Sequence, residues 1–561
     1  MVTEELASRI RQALAAARAS GELQVPEGEV EVNLELPRNK DFGDYACTVA
    51  LALAPKVKLP PREVATRIAA HLRTGEDLIE RVEVAGPGFL NFYLKPHWLQ
   101  DTLVRIEEAD VQYGHSDHLA GERILIEFVS ANPTGPISVV NGRAAALGDA
   151  LGNLLAASGA FVSREFYVND ALNSTQIDLM GASLAARYLQ LLGRQAEVPP
   201  DGYQGEYLVD IAREIMDEVG DAYANLPDDE LAARFRELAV SRMIASQKRD
   251  LAQFGVVYDT WFYESTLYTS GAVAAAIEQI KRNGFAYEKD GALWLKSTEL
   301  AGDDQDRVLV RSNEKETYIA ADAAYHKNKF DRGFTRLIDI WGADHHGYVQ
   351  RLKAGIKALG YDPDRCQIIL TQMVLLVRDG EPVRGSKRAG DIIPLADLVA
   401  EIGRDAARFY FLMNSYETTA TFDLEIAKKQ SMDNPVFYAQ YAHARCCSVL
   451  RRAAELGINL SPASSVDRSL LTHPRELDLL RKLADYPEEV RKAADMVAPH
   501  RLTTYVREIG QELHQFYEEC PALKEGVPPE LRDARLAVFN STRIVVRNLL
   551  GLLGVSAPDR M

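Results

Sequence analysis

One stretch, residues 123–167, restricts the fold more than any other. A short apolar run, Ile124-Leu125-Ile126-Glu127-Phe128-Val129, has the composition of a parallel strand buried on both faces. The loop Ser130-Ala131-Asn132-Pro133-Thr134-Gly135-Pro136 leads into a helix rich in small residues, about Val139 to Ser158. Phe161 to Tyr167 then reads as a second strand. Strand, helix and strand in that order make a βαβ unit and hence a parallel sheet. Further strands are expected at Leu337 to Trp341 and Gln367 to Leu370. Residues about 173–250 are long, charged and helical, and read as an insertion into the α/β frame.

Around this core the chain changes character. Residues 1–105 read as an α+β module: a helix from Glu4 to Ser20, an alternating strand Val30 to Leu36, and strands 81–84 and 89–94 joined by Gly86-Pro87-Gly88. Residues 101–122 carry turn residues and charges and are expected to be a linker. From Asn434 onward nearly every segment is amphipathic helix, broken at Ser461-Pro462, Pro521 and Pro528-Pro529. The expected fold is α/β, with domains at 1–105, 106–425 and 426–561, the last an α-helical bundle.

Composition excludes several function classes. Lys plus Arg number 64 against 81 Asp plus Glu, a net charge of −17, so the chain does not coat nucleic acid through bulk charge and DNA is not an expected partner. Five cysteines, with no C-x-x-C pair, provide neither a disulfide framework nor a zinc knuckle. No run of 18 apolar residues exists to span a membrane. Glu4 and Glu5 beside Leu6, Ile10 and Leu14 suit a packed helix face rather than a targeting peptide. The expected location is cytoplasmic.

The motifs narrow the chemistry. No G-x-G-x-x-G follows a strand, against a dinucleotide-binding oxidoreductase. Gly380 to Lys387 imitates a P-loop, but its lysine does not follow glycine at a helix start, and a basic, glycine-flanked loop is the plainer reading. Asp344-His345-His346 follows a strand end; adjacent side chains on extended backbone point apart, which suits a ligand contact better than a metal. No residues are assigned to a resident metal. Glu127 in an apolar strand needs a cation or several donors. Tyr318 and Asp322, four apart on a helical turn, present one acidic, aromatic-walled face. With Ser130 and Asn132 these residues suit a guanidinium; a buried structural ion pair is the alternative.

Several stretches together resemble arginyl-tRNA synthetases of class I. Ile126 to Phe128 with Ser130 to Pro136 is similar to the strand and loop before the family's first signature. Thr317 to His326, Trp341 to Tyr348, Gly403 to Phe409 and Asn434 to Arg445 resemble its central and C-terminal blocks, and Gly86 to Phe92 the close of its N-terminal domain. The resemblance runs end to end. It implies a Rossmann-like catalytic domain, an N-terminal domain touching the tRNA elbow and a helical anticodon-binding domain. The implied reaction activates L-arginine with ATP and Mg²⁺ and transfers it to the 3′ end of tRNA(Arg), by a monomer. Glu127, Ser130, Asn132, Tyr318 and Asp322 fall on arginine-recognising positions, with Asp322 or Glu127 pairing the guanidinium. ATP falls against Pro136, Ser138, Val140, Asn141, Asp344, His345 and Lys387, and Tyr441 and Arg445 face tRNA.

Both ATP signatures depart from the family pattern. His-x-Gly-His is here Ser138-Val139-Val140-Asn141. Serine and asparagine still donate hydrogen bonds but carry no charge, and Val140 adds bulk where the family leaves space for adenine. Lys-Met-Ser-Lys is here Arg384-Gly385-Ser386-Lys387, and the lysine some members carry just before the first signature is Gly135. The catalytic set implied is therefore Ser138, Asn141, Arg384, Ser386 and Lys387. The alternative function is a paralogue that binds arginine or tRNA without adenylating.

Overall fold

Five parallel strands form the central sheet: β1 (Arg123–Phe128), β2 (Phe161–Val168), β3 (Thr260–Tyr263), β4 (Arg336–Gly342) and β5 (Cys366–Thr371), in the order β3-β2-β1-β4-β5. The structure is a computed structural model describing residues 2–25, 30–35, 37, 39–75, 78–171, 174–383 and 393–561. Strand order reverses between β1 and β4, so a crevice opens at their carboxyl ends, where open α/β sheets bind ligands. Ile124, Leu125, Ile126 and Phe128 are wholly buried, which accounts for the unbroken apolar run of β1.

Helix α1 (Val139–Ala157) crosses from β1 to β2. Its small residues let it lie close on the sheet: a Cβ on Gly148 would stand 2.3 Å from the Phe128 ring. The expected insertion is three helices, α2 (Thr175–Leu191), α3 (Tyr207–Val219) and α4 (Asp228–Gln253), closed on their own core of Met180, Leu184, Tyr188, Leu208 and Phe235. It also grips the loop after β1. Gln247 Nε2 donates to the carbonyls of Asn132 (3.0 Å) and Gly135 (2.9 Å), and the Tyr207 hydroxyl donates to that of Thr134 at 2.8 Å. Helix α5 (Tyr318–Asp331), rich in alanine, packs under the β1–β4 crevice.

Two expectations need correction. Residues 101–122 are not simply a linker: Thr102–Ala109 is a helix whose Thr102, Leu103 and Ile106 are fully buried while Glu107 and Glu108 are not. The apolar spacing i, i+3 outweighed the charges that suggested a loop. Of the expected strand Val30 to Leu36, only Leu34–Glu35 is strand among the described residues. Ile79–Ala85 and Phe89–Leu94 do pair antiparallel around the Gly86-Pro87-Gly88 turn.

The C-terminal part is a bundle of α6 (Pro435–Glu455), α7 (Pro474–Asp495), α8 (His500–Glu519) and α9 (Pro529–Leu552). Asn434 caps α6 by accepting from the Val436 N–H, with Pro435 in the first turn. Tyr45 donates to Asp485 (2.8 Å) and Gln100 to the Leu471 carbonyl (3.1 Å), joining the N-terminal module to α7 and its approach. Among the described residues no helix is long and apolar enough to cross a membrane.

Candidate active site

The chain turns sharply as it leaves β1. Val129 and Ser130 have φ of +71° and +41°, a left-handed conformation that strains a β-branched residue. The turn folds Ser130 back over the strand, where its hydroxyl donates to Glu127 Oε1 (2.9 Å) and accepts from the Tyr167 N–H (3.1 Å). Glu127 Oε2 accepts from Lys329 Nζ at 2.6 Å. Both carboxylate oxygens are therefore satisfied inside the protein, and the structural ion pair held open for Glu127 exists.

A cavity of about 660 Å³ lies above this turn, at the carboxyl ends of β1 and β4. One half is walled by Tyr167, Tyr318, Trp341 and Tyr348, with Glu264 and Asp322 among its acids. Tyr318 is 69% exposed at the mouth. Asp322 Oδ2 accepts from the Tyr348 hydroxyl, and burial raises its carboxyl above the usual range. Glu264 is 2% exposed; burial first, then the charges of Asp322 and Asp170, push its pKa up to about 7. Asp322 and Glu264 form no ion pair with any described residue. Two buried carboxylates in an aromatic-walled hollow, whose lining holds Glu127 and Asp344 as well but only Arg351 as a permanent cation, favour a further positive charge.

Sequence reasoning missed Glu264. It follows β3, whose four residues Thr260–Tyr263, all half-buried, are too few to read as a strand. A glutamate directly after a Trp-Phe-Tyr run was the available signal.

The other half of the cavity meets the start of α1. Ser138 is the N-cap: its hydroxyl accepts from the Asn141 N–H (3.2 Å) and donates to Asn141 Oδ1 (2.7 Å), while Asn141 Oδ1 also accepts from the Ser138 N–H (3.2 Å). This capping box uses the serine hydroxyl inside the turn. Val140 and Asn141 line the cavity, and Ser138 and Pro136 do not. Val140 is 40% exposed there.

Asp344 and His345 also line the cavity, beside Gly342 and Gly347. They lie on a 3₁₀ turn, Ala343–Tyr348, not on extended backbone as expected. Asn132 is displaced from the pocket: its Nδ2 donates to Gln176 Oε1 (3.1 Å) and its Oδ1 accepts from Asn169 Nδ2 (3.2 Å), and Asn169 is the residue that reaches the cavity wall. The left-handed turn at Val129 and Ser130 carries the loop toward α2. Arg384, Ser386 and Lys387 lie outside the described residues.

Far from this cavity, Tyr441 and Arg445 share one half-buried face of α6. Arg445 donates to the Tyr441 hydroxyl (2.9 Å), its guanidinium lies 4.8 Å from the Tyr441 ring and 4.5 Å from that of Tyr517, and Phe437 stacks on Tyr441. Such a stack of rings and guanidinium is the kind of surface on which unpaired bases lie.

Three family models cover most of the chain: the arginyl tRNA synthetase N-terminal domain over residues 4–94, the catalytic domain of class I tRNA synthetases (R) over 102–423, and the DALR anticodon binding domain over 439–561. An arginine–tRNA ligase of Moorella thermoacetica is 48% identical over 99% of this chain and 98% of its own length. One of Heliobacterium modesticaldum is 47% identical over 100% and 99%. The solved structure of Thermus thermophilus arginyl-tRNA synthetase superposes with a TM-score of 0.75 over the whole of both chains at 21% identity. The doubly wound sheet, the three domains and the full-length match agree: the chain belongs to the arginyl-tRNA synthetase family of class I.

Proposed function

We propose that the chain is an arginine–tRNA ligase that activates L-arginine with ATP and passes it to the 3′ end of tRNA(Arg). The observation that carries the substrate is the pair Asp322 and Glu264, two acids in an aromatic-walled cavity that make no ion pair with a described residue, Arg351 of the same lining included. A guanidinium is planar, permanently charged and able to donate to both. Tyr318 and Tyr348 pack against its faces, and Glu127, Ser130 and Asn132, the last through Asn169, orient the amino and carboxylate end.

ATP enters as its Mg²⁺ complex and lies along the start of α1. The Val140 N–H in the first turn and Asn141 Nδ2, neither of which the capping box uses, donate to its phosphates. Val140, Asp344 and His345 border the nucleotide, Arg384 and Lys387 bring charge to the phosphates, and Ser386 offers a hydroxyl. Ser138 acts by capping the helix, and Pro136 by setting its approach. The arginine carboxylate attacks the α-phosphorus, pyrophosphate leaves, and the ribose hydroxyl at the tRNA end then displaces AMP from the arginyl carbonyl. The protein's part is placement and charge stabilisation.

Residues 1–105 meet the tRNA elbow and the bundle from 426 onward meets the anticodon, with Tyr441 and Arg445 at that contact. The chain works in the cytoplasm as a monomer. Arginine-dependent exchange of pyrophosphate into ATP, measured with tRNA present, tests the reading: exchange whose arginine requirement Asp322→Ala raises steeply supports it, and exchange indifferent to arginine refutes it.

A further inference from the structure

Three acids stand side by side beneath the arginine pocket. Parallel register sets Asp339 of β4 beside Glu127 of β1, and Glu127 beside Glu165 of β2. Adjacent strands are ~4.8 Å apart, so the row is strongly self-repelling unless cations serve it. Helix α5 and its end supply them at helical spacing. Lys329 Nζ donates to Glu127 (2.6 Å) and to Asp339 Oδ1 (2.9 Å), and His326 Nε2 lies 2.7 Å from Asp339 Oδ2. Tyr325 and Arg332 serve Glu165. Asp339, Glu165 and Lys329 are fully buried.

This helix also carries Asp322, and His326 links the two. Its Nδ1 lies 2.8 Å from the Asp322 carbonyl oxygen. His326, Asp339 and Cys366 also lie close enough together to suggest a metal site. The Lys329 ammonium already holds the cation's place against Asp339, and a second cation there would be repelled.

We propose that Asp339, with Lys329 and His326, positions the arginine pocket: through Lys329 it holds Glu127 at the strand end, and through His326 it holds Asp322 on the helix. Neither Asp339 nor Lys329 lines the cavity, and both act through the residues they hold. The inference rests on Asp322 receiving the guanidinium.

The test is aminoacylation by the full-length chain, with arginine and ATP titrated separately and thermal unfolding followed alongside. Asp339→Asn and Lys329→Met each raise the arginine KM at least tenfold and leave the ATP KM within twofold. The double variant is no worse than threefold beyond either single, because one relay is broken once. Glu165→Gln, in the same acid row but hydrogen-bonded to Tyr325 and Arg332 rather than to Lys329 or His326, lowers the unfolding temperature and leaves the arginine KM within twofold. If Asp339→Asn does not fold, His326→Gln decides, with a three- to tenfold rise in arginine KM. Arginine and ATP KM values that move together, or a Glu165→Gln rise equal to that of Asp339→Asn, overturn the proposal. Asp322→Asn separates the two layers. If it leaves the arginine KM unchanged, the pocket reading fails and the relay with it; if it raises that KM while Asp339→Asn does not, only the relay fails.

Discussion

Ser138 and Asn141 hold each other across the first turn of α1, hydroxyl to Oδ1 at 2.7 Å and N–H to hydroxyl at 3.2 Å. Where the family pattern has two histidines, this chain has a capping box. Each histidine of that pattern offers charge to phosphate; here one residue of the pair is committed to the helix and the other keeps a neutral amide for the ligand.

Asn141→Asp separates these two tasks. Aspartate accepts the same capping bonds but has no N–H to give and adds negative charge beside the phosphates. Pyrophosphate exchange falls by about 10²-fold or more, with helix stability kept. Ser138→Ala does the reverse, costing about 1 kcal/mol of stability with a small effect on the exchange rate. Exchange rates and unfolding curves on the two variants check this division.

Asp322→Ala leaves Glu264 alone with the guanidinium. The arginine KM rises by about 10²-fold, the range expected when one partner of a desolvated charge pair is truncated. Separate titrations of arginine and ATP provide the check, with the ATP KM unmoved.

Glu264 makes arginine binding depend on pH. Its pKa is pushed up to about 7 in the empty pocket, above an ordinary value of 4.5, by burial and then by Asp322 and Asp170. Arginine stays charged throughout and favours the carboxylate, so below pH 7 binding must expel a proton. Affinity falls as pH falls, by up to about tenfold per unit. Stability of the empty protein runs the opposite way: between 4.5 and about 7 the folded state keeps a proton that the unfolded chain has lost, so stability falls as pH rises through that window. Calorimetry from pH 5.5 to 8 checks both trends, and Glu264→Gln reduces both slopes.

Arg445→Ala removes the guanidinium between the Tyr441 and Tyr517 rings. The tRNA KM rises about tenfold, the order of one lost stacking contact, and the arginine KM stays constant. Steady-state charging with tRNA as the varied substrate measures it.

What was legible followed from burial. The strands β1, β4 and β5 announce themselves because buried parallel strands are largely apolar runs, β2 by its place after α1, and the small residues of α1 reflect its closeness to the Phe128 ring. Tyr318 and Asp322 were legible because four residues make one helical turn. Glu264 was hidden behind a long insertion and a four-residue strand. That Asn132 stands off the cavity wall was not legible, because nothing in Val129-Ser130 announces a left-handed turn. Lys329 reads as an ordinary surface lysine in a helix; only the register of β4 on β1 shows two acids waiting for it.

The most direct test of the account is charging of total tRNA with labelled arginine and MgATP by the purified full-length chain. The account predicts sustained, arginine-specific charging that Asn141→Asp suppresses. Arginine or tRNA binding without any charging, beside a control enzyme that charges the same tRNA, would contradict it and leave a binding protein whose phosphate site no longer works.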